Sequence, residues 1–174
     1  MTSNDPKDSF RLVVEQHSRK IFQLAYRMVG NEYDAEEVVQ ETFLKAYRGF
    51  DRYQGHAAVS TWLFRIASNC AIDHLRRQKK APSETVTIDP DATAHPAQSG
   101  RQEKVLIQGQ FQQHMDVLMA CLTPKERTSF VLRHFQEHTI AEISETLKIQ
   151  PNAVKQAIFR AVRKLRSALQ KEPA

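Results

Sequence analysis

The chain has 174 residues, 41% of them hydrophobic and 26% charged, with a formal net charge of +5. Those proportions belong to a globular protein of one ordinary or two small domains, and they exclude a disordered or fibrous chain. No run approaches the roughly 18 apolar residues of a membrane span. The opening MTSNDPKDSF carries no hydrophobic signal segment, so a soluble, cytoplasmic protein without membrane insertion is expected.

Glycine is scarce while Ala, Leu, Gln, Glu, Lys and Arg are plentiful, which favours an all-α fold. Asp5 and Pro6 read as a helix start, and Phe10, Val13, Val14, His17, Ile21, Leu24, Ala25 and Met28 repeat at three and four. Gly30 ends this helix as a left-handed cap. The second helix is expected from Asp34, as its cap, to Arg48, before Gly49. Ala35, Val38, Val39, Thr42, Phe43 and Ala46 face the core. Glu37, Gln40, Glu41, Leu44, Lys45 and Arg48 take the other face. Acids near a helix N-terminus favour the dipole, so that face reads either as solvated or, given Leu44, as a docking surface for a protein.

The loop FDRYQGHAAVSTW leads to a third helix starting at Ser60 or Thr61 and running to Lys80. Leu63, Ile66, Ala67 and Cys70 form its buried side. Trp62, Arg65, Asn69, Asp73 and Arg76 fall in one narrow stripe, with Arg77, Lys79 and Lys80 at its end. An aromatic beside arginines suits single-stranded DNA, because bases stack and phosphates pair. The same stripe reads equally as a core tryptophan with a solvated basic tail.

Residues 81–100 hold three prolines, three acids and no Lys or Arg, which marks a flexible linker. Two small helical domains are expected, 1–80 and 101–174. Val105, Leu106, Phe111, Met115, Leu118, Met119 and Leu122 mark the next helix. Thr123, Pro124 and Glu126 open another through a capping box. Thr139 and Glu142 repeat the box, and Ile140, Ile143 and Leu147 line one side of a short helix. Pro151 then suits the first position of a longer one. Val154, Ala157, Ile158, Ala161, Val162 and Leu165 share its inner side. Asn152, Lys155, Gln156, Phe159 and Arg163 share the outer side, with Arg160 on the flank. From Gln150 to Lys171 there is no Asp or Glu, so this is a helix-turn-helix whose second helix suits the DNA major groove. The cysteines Cys70 and Cys121 each lie in an apolar helical pattern and are expected as buried, reduced thiols.

The sequence lacks G-x-x-x-x-G-K-[ST], G-x-G-x-x-G, H-E-x-x-H and C-x-x-C. His134 and His138 stand four apart without an evident third ligand. No catalysis, metal, cofactor or small-molecule substrate is expected.

The stretches NEYDAEEVVQETFLKAYRGFDRYQG, STWLFRIASNCAIDHLRRQKK and LTPKERTSFVLRHFQEHTIAEISETLKIQPNAVKQAIFRAVRKLRSAL resemble, in order and spacing, regions 2.1–2.2, 2.3–2.4 and 4 of bacterial sigma factors of the extracytoplasmic-function (ECF) group. The resemblance implies a factor that binds core RNA polymerase, selects a promoter and melts it, as in stress responses. It implies a polymerase interface at Glu37, Gln40, Glu41, Leu44 and Lys45. It implies minus-10 contacts at Tyr53, Phe64 and Asn69, with Arg76 and Arg77 by the phosphates, beside the Trp62 and Arg65 of the stripe. It implies minus-35 reading by Lys155, Gln156 and Arg160, beside Asn152, Phe159 and Arg163. An anti-sigma factor is implied as a further partner. The chain departs from the family at Gln54-Gly55-His56 and at Gln150-Pro151-Asn152-Ala153, which places its promoter preference away from the common pattern. The alternative reading is a stand-alone helix-turn-helix regulator with an unrelated N-terminal domain.

Overall fold

The architecture comes from a computed structural model that describes residues 6–53, 55, 58–80, 115 and 117–171. The expected helix start at Asp5, the linker 81–100 and the apolar positions Val105, Leu106 and Phe111 lie outside these residues.

Helix α1 spans Pro6–Val29 and ends where Gly30 turns left-handed (φ 87°), its N–H donating to the Tyr26 carbonyl at 2.8 Å. Helix α2 spans Glu32–Phe50. Its cap is Asn31, not Asp34. The Gly30 turn leaves Asn31 extended, and its Oδ1 accepts from the Asp34 N–H at 2.9 Å. The Asp34 carboxylate in turn accepts from Asn31 Nδ2 at 2.7 Å, so Asp34 is the reciprocal partner three residues in. The helix also runs through Gly49 instead of stopping before it. A Cβ at Gly49 would lie 3.4 Å from Trp62 Cζ2, an ordinary packing distance, so α2 passes beside the indole of α3 at this point.

Helix α3 spans Val59–Lys80, starting one residue before Ser60. Ile21, Leu24 and Met28 of α1, Val38 and Ala46 of α2, and Leu63, Ala67 and Cys70 of α3 are fully buried together. Each of the buried Ile, Leu, Met and Val side chains among them contributes roughly 1.5–3 kcal/mol. Buried Thr42 returns its hydroxyl to the Val38 carbonyl at 2.6 Å, which removes an orphan donor from that core.

After a helical turn at 117–120, helix α4 spans Pro124–His134, α5 spans Ile140–Leu147 and α6 spans Pro151–Lys171. Thr123 with Glu126 and Thr139 with Glu142 form complete capping boxes. Helix α5 ends at Lys148, which adopts a left-handed conformation (φ 52°), and Ser144 Oγ ties down the Ile149 carbonyl at 2.6 Å. Val131, Leu132, Ile143, Val154 and Ala161 close the second core. Glu126 is buried beside α6 and accepts from Lys164 Nζ at 2.7 Å. Burial raises its pKa, but the Lys164 ammonium and the Thr123 N–H outweigh that and hold the carboxyl below its ordinary value. Cys70 is buried as expected, whereas Cys121 is exposed, because it falls in the turn after 117–120 and not within a packed helix.

The two halves also touch. Helix α3 packs on α5 and α4, and α1 packs on α4.

Candidate nucleic-acid and polymerase interfaces

Burial of Val154 and Ala161 against α4 and α5 sets the rotation of α6. Asn152, Lys155, Gln156, Phe159, Arg160 and Arg163 therefore all lie on its exposed side. Phe159 is 67% exposed, so its ring is presented on this outer face. Lys164, on the inner flank, is instead held by Glu126. The outer face thus offers cations, amides and an aromatic ring, the donors and apolar surface that base edges and phosphates take.

A second surface lies where α2 ends against α3. Lys45, Gly49, Arg52, Tyr53, Trp62, Ile66 and Asn69 line a cleft of about 400 Å³. Trp62 and Tyr53 are half-buried, with ring centroids 5.0 Å apart at 33°. Phe50 supports the indole from behind at 6.4 Å. Asn69 stands seven residues from Trp62, two turns on along the same face. The cleft offers an aromatic wall, one amide and two cations.

Of the residues expected here, Tyr53, Trp62 and Asn69 come together. Phe64 does not join them. It lies five residues from Asn69, about 140° round the helix at 100° per residue. Its side chain is 4% exposed and stands edge-on to His138 at 4.8 Å. Arg65 is half-buried, and exposed Arg76 and Arg77 follow toward the helix end. Arg76 lies 3.9 Å from Asp73 and Arg77 lies 3.2 Å from Glu41. Gly49, Arg52 and Ile66 were not anticipated in the cleft. The spacing Lys45–Gly49–Arg52 and Trp62–Ile66–Asn69, at three and four, was the signal that could have found them.

The third surface is the outer side of α2. Glu37, Gln40, Leu44 and Lys45 are exposed and Glu41 is half-buried. Leu44 and Tyr47 are 55% and 51% exposed. They border an apolar cleft of about 440 Å³, with Phe10, Phe22, Val39 and Phe43 as its floor and Glu36 and Gln40 at the rim. Glu41 accepts from Lys45 at 2.8 Å and from Arg77 at 3.2 Å. The Lys45 hydrogen bond is the main cause that lowers the Glu41 pKa, against the opposing effect of burial. Lys45 thus borders the second surface as much as the third. Behind them buried His74 approaches Asp34 at 3.4 Å and Glu37 at 4.0 Å. An apolar groove with Glu36 at its rim and Glu37 and Glu41 on the same helix suits a helical protein partner with basic flanks.

Among the described residues no helix is long and apolar enough to cross a membrane. No group of three His, Cys, Asp or Glu side chains is gathered among them as for a metal. His134 instead packs on Phe130 at 4.7 Å, and His138 on Phe64.

Residues 13–81 match the sigma-70 region 2 family and residues 113–165 match sigma-70 region 4. The chain is 33% identical to the ECF RNA polymerase sigma factor SigW of Bacillus subtilis, over 94% of this chain and 90% of that one. Its fold is similar to that of CnrH in complex with the cytosolic domain of CnrY, at TM-score 0.70 and 23% identity over 98% of this chain and 93% of that one. It is also similar to the sigma factor RpoE in complex with the anti-sigma factor NepR from Bartonella quintana, at TM-score 0.66 and 19% identity over 95% of this chain and 99% of that one. The region 2 match fills the half that a stand-alone regulator would devote to an unrelated domain, so that alternative is not favoured. An exposed α2 face beside an apolar groove, an aromatic and basic cleft and an acid-free outer face of α6 follow one another along the chain in the order of sigma regions 2 and 4, and the chain belongs to the ECF group of sigma-70 family RNA polymerase sigma factors.

Proposed function

We propose that this sigma factor grips its partners through the three surfaces in turn. The N-terminal half, 1–80, docks on core RNA polymerase through Glu37, Gln40, Glu41 and Leu44 of α2, with Tyr47 and the apolar cleft beside them. The same half takes the minus-10 element in the α2–α3 cleft. Flipping one base out of the duplex costs a few kcal/mol of stacking and pairing, and the cleft restores part of it. The base would stack on Tyr53 and Trp62, each stacked base being worth about 1–3 kcal/mol. The Asn69 amide can both donate to and accept from a base edge. Lys45, Arg52, Arg65, Arg76 and Arg77 surround the cleft and its exit as phosphate contacts.

The C-terminal half, 101–174, carries α6 into the major groove of the minus-35 element. Gln156 and Lys155 can pair with adenine and guanine edges. Asn152, Phe159, Arg160 and Arg163 complete the face, and residues 81–100 join the two grips. Catalysis belongs to the polymerase, so the chain itself is not an enzyme, and it works in the cytoplasm where its polymerase is.

An anti-sigma factor is the further partner. Both solved neighbours are held in complexes, one with the cytosolic domain of CnrY and the other with the anti-sigma factor NepR. The apolar cleft bordered by Leu44 and Tyr47 is the surface that such a partner would share with polymerase.

One observation carries the reading. The aromatic and basic cleft shares a chain with an acid-free exposed recognition face, and each lies in the matching sigma region. Single-round transcription with purified core enzyme tests it. The chain is expected to generate promoter-dependent products that core enzyme alone does not make. If genomic templates give no such product, the reading is wrong.

A further inference from the structure

Two exposed surfaces of this chain complement each other in shape and charge. The first is the groove between α1 and α2, about 440 Å³ of open space floored by Phe10, Phe22, Val39 and Phe43. Glu32, Glu36, Gln40 and Leu44 recur every four residues, so one ridge of α2 leads from two carboxylates to an exposed leucine at the groove. Glu32 and Glu36 are both exposed. Among the described residues neither has a Lys, Arg or His partner.

The second surface is the outer face of α6. Phe159 stands at its middle, 67% exposed. Lys155 and Arg163 lie one turn to either side of it, and Arg160 lies on the flank. Among the described residues none of these cations meets a carboxylate. The face is thus a helix with one aromatic anchor and basic flanks, the shape and charge that the groove lacks. The floor already takes rings edge-on, since Phe10 meets Tyr47 at 5.3 Å and Phe50 at 5.2 Å. A further aromatic ring packs well on such a wall.

Inside one molecule α6 packs on α4 and α5, whereas α2 packs on α1 and α3. In this arrangement the two surfaces meet between molecules. We infer that the α1–α2 groove of one copy receives Phe159 and the basic face of α6 from a second copy, which joins the free protein head to tail. The α6 cations then lie against Glu32 and Glu36 of the receiving copy.

Each copy offers one groove and one anchor. The contact is therefore heterologous, and it grows into short chains or closes into a ring. One helix face in one groove buries less than the roughly 1,200 Å² of a standard interface, so the association is weak and reversible. Its ion pairs lie at the surface and fade with salt. Every such contact covers the α2 face of one copy and the α6 face of the next. On the sigma-factor reading, it hides a polymerase dock and a promoter-reading helix together, so that polymerase must compete for the groove. The masking rests on that reading, whereas the self-association does not.

Sedimentation velocity of the full chain tests it, in a Cys121→Ser background that removes the exposed thiol. At about 0.05 M salt the weight-average sedimentation coefficient is expected to rise as protein approaches roughly 100 μM, and at about 0.5 M salt to return to the monomer value. Glu36→Lys spoils the groove and Phe159→Ala removes the anchor, and each is expected to weaken the association about ten-fold or more. Both positions are exposed, and circular dichroism checks that the helices persist. Should Glu36→Lys unfold, Glu32→Lys takes its place. Mixed together, the two variants retain one sound groove and one sound anchor between them. The mixture is expected to form a dimer that grows no further. A wild-type chain that stays monomeric at low salt overturns the proposal, as does a mixture that associates no better than either variant alone. Association that survives Phe159→Ala but not Glu36→Lys would put another segment in the groove, and overturns it equally. Absence of promoter-dependent transcription would instead overturn the sigma reading and leave the self-association standing.

Discussion

Tyr53 and Trp62 lean on each other across the end of α2, with ring centroids 5.0 Å apart, and the indole packs beside Gly49. The pair forms an aromatic wall that faces Lys45, Arg52 and Asn69. Trp62→Ala is expected to remove about 1–3 kcal/mol of stacking, which lowers open-complex formation roughly 5- to 150-fold. Binding of the holoenzyme to a pre-melted promoter bubble checks this, because the loss should persist there while assembly with core enzyme is unchanged.

On α6, base contacts and phosphate contacts separate by salt. Gln156→Ala is expected to cost about 1–3 kcal/mol at one promoter position and to relax preference there. Arg163→Ala is expected to weaken binding on all sequences and to reduce the slope of log affinity against log salt by about 0.9 if it neutralises one phosphate. Holoenzyme binding to minus-35 duplexes at several salt concentrations distinguishes the two roles.

The Glu126–Lys164 pair gives region 4 an acid sensitivity. The folded carboxyl is held below its ordinary value of 4.5. Its stabilisation is therefore complete above that value and lost as pH falls through the lower folded value. Glu126→Gln is expected to lower the urea midpoint at pH 7, because a capping-box partner and a part-buried ion pair go together. At acid pH the gap between variant and wild type should narrow. An equal gap at both pH values would assign the effect to packing alone.

Lys148 sits left-handed at the end of α5 (φ 52°), a conformation that costs a non-glycine residue roughly 1–2 kcal/mol. Its side chain is exposed. Lys148→Gly is expected to raise stability by about 0.5–1 kcal/mol after the added chain entropy of glycine is counted, read as a higher melting temperature.

Much of this fold was legible because its signals are local. Thr123–Glu126 and Thr139–Glu142 are contacts over three residues, and the two faces of α6 follow from helical spacing alone. Asn31 was missed as a cap because Asp34 is as good a capping residue, and the choice depends on the Gly30 turn. Gly49 reads as a stop, yet α2 continues through it to Phe50, and its neighbour Trp62 is brought close only by packing. The acidic face of α2 was visible, but the groove beside Leu44 also needs Phe10 and Phe22 from α1. The burial of Phe64 could not be read, since its partner His138 comes from the other half of the chain. The same holds for Arg127, whose Nε donates to the Arg27 carbonyl at 3.0 Å from across the fold.

Placing a fluorescent base analogue at successive non-template positions across the minus-10 element of a holoenzyme open complex tests the central claim most directly. The account predicts that one position alone lights up strongly as its base leaves the stack, and that Trp62→Ala or Asn69→Ala dims that position without releasing the polymerase. Uniform fluorescence along the element, or a single bright base untouched by either substitution, would contradict it.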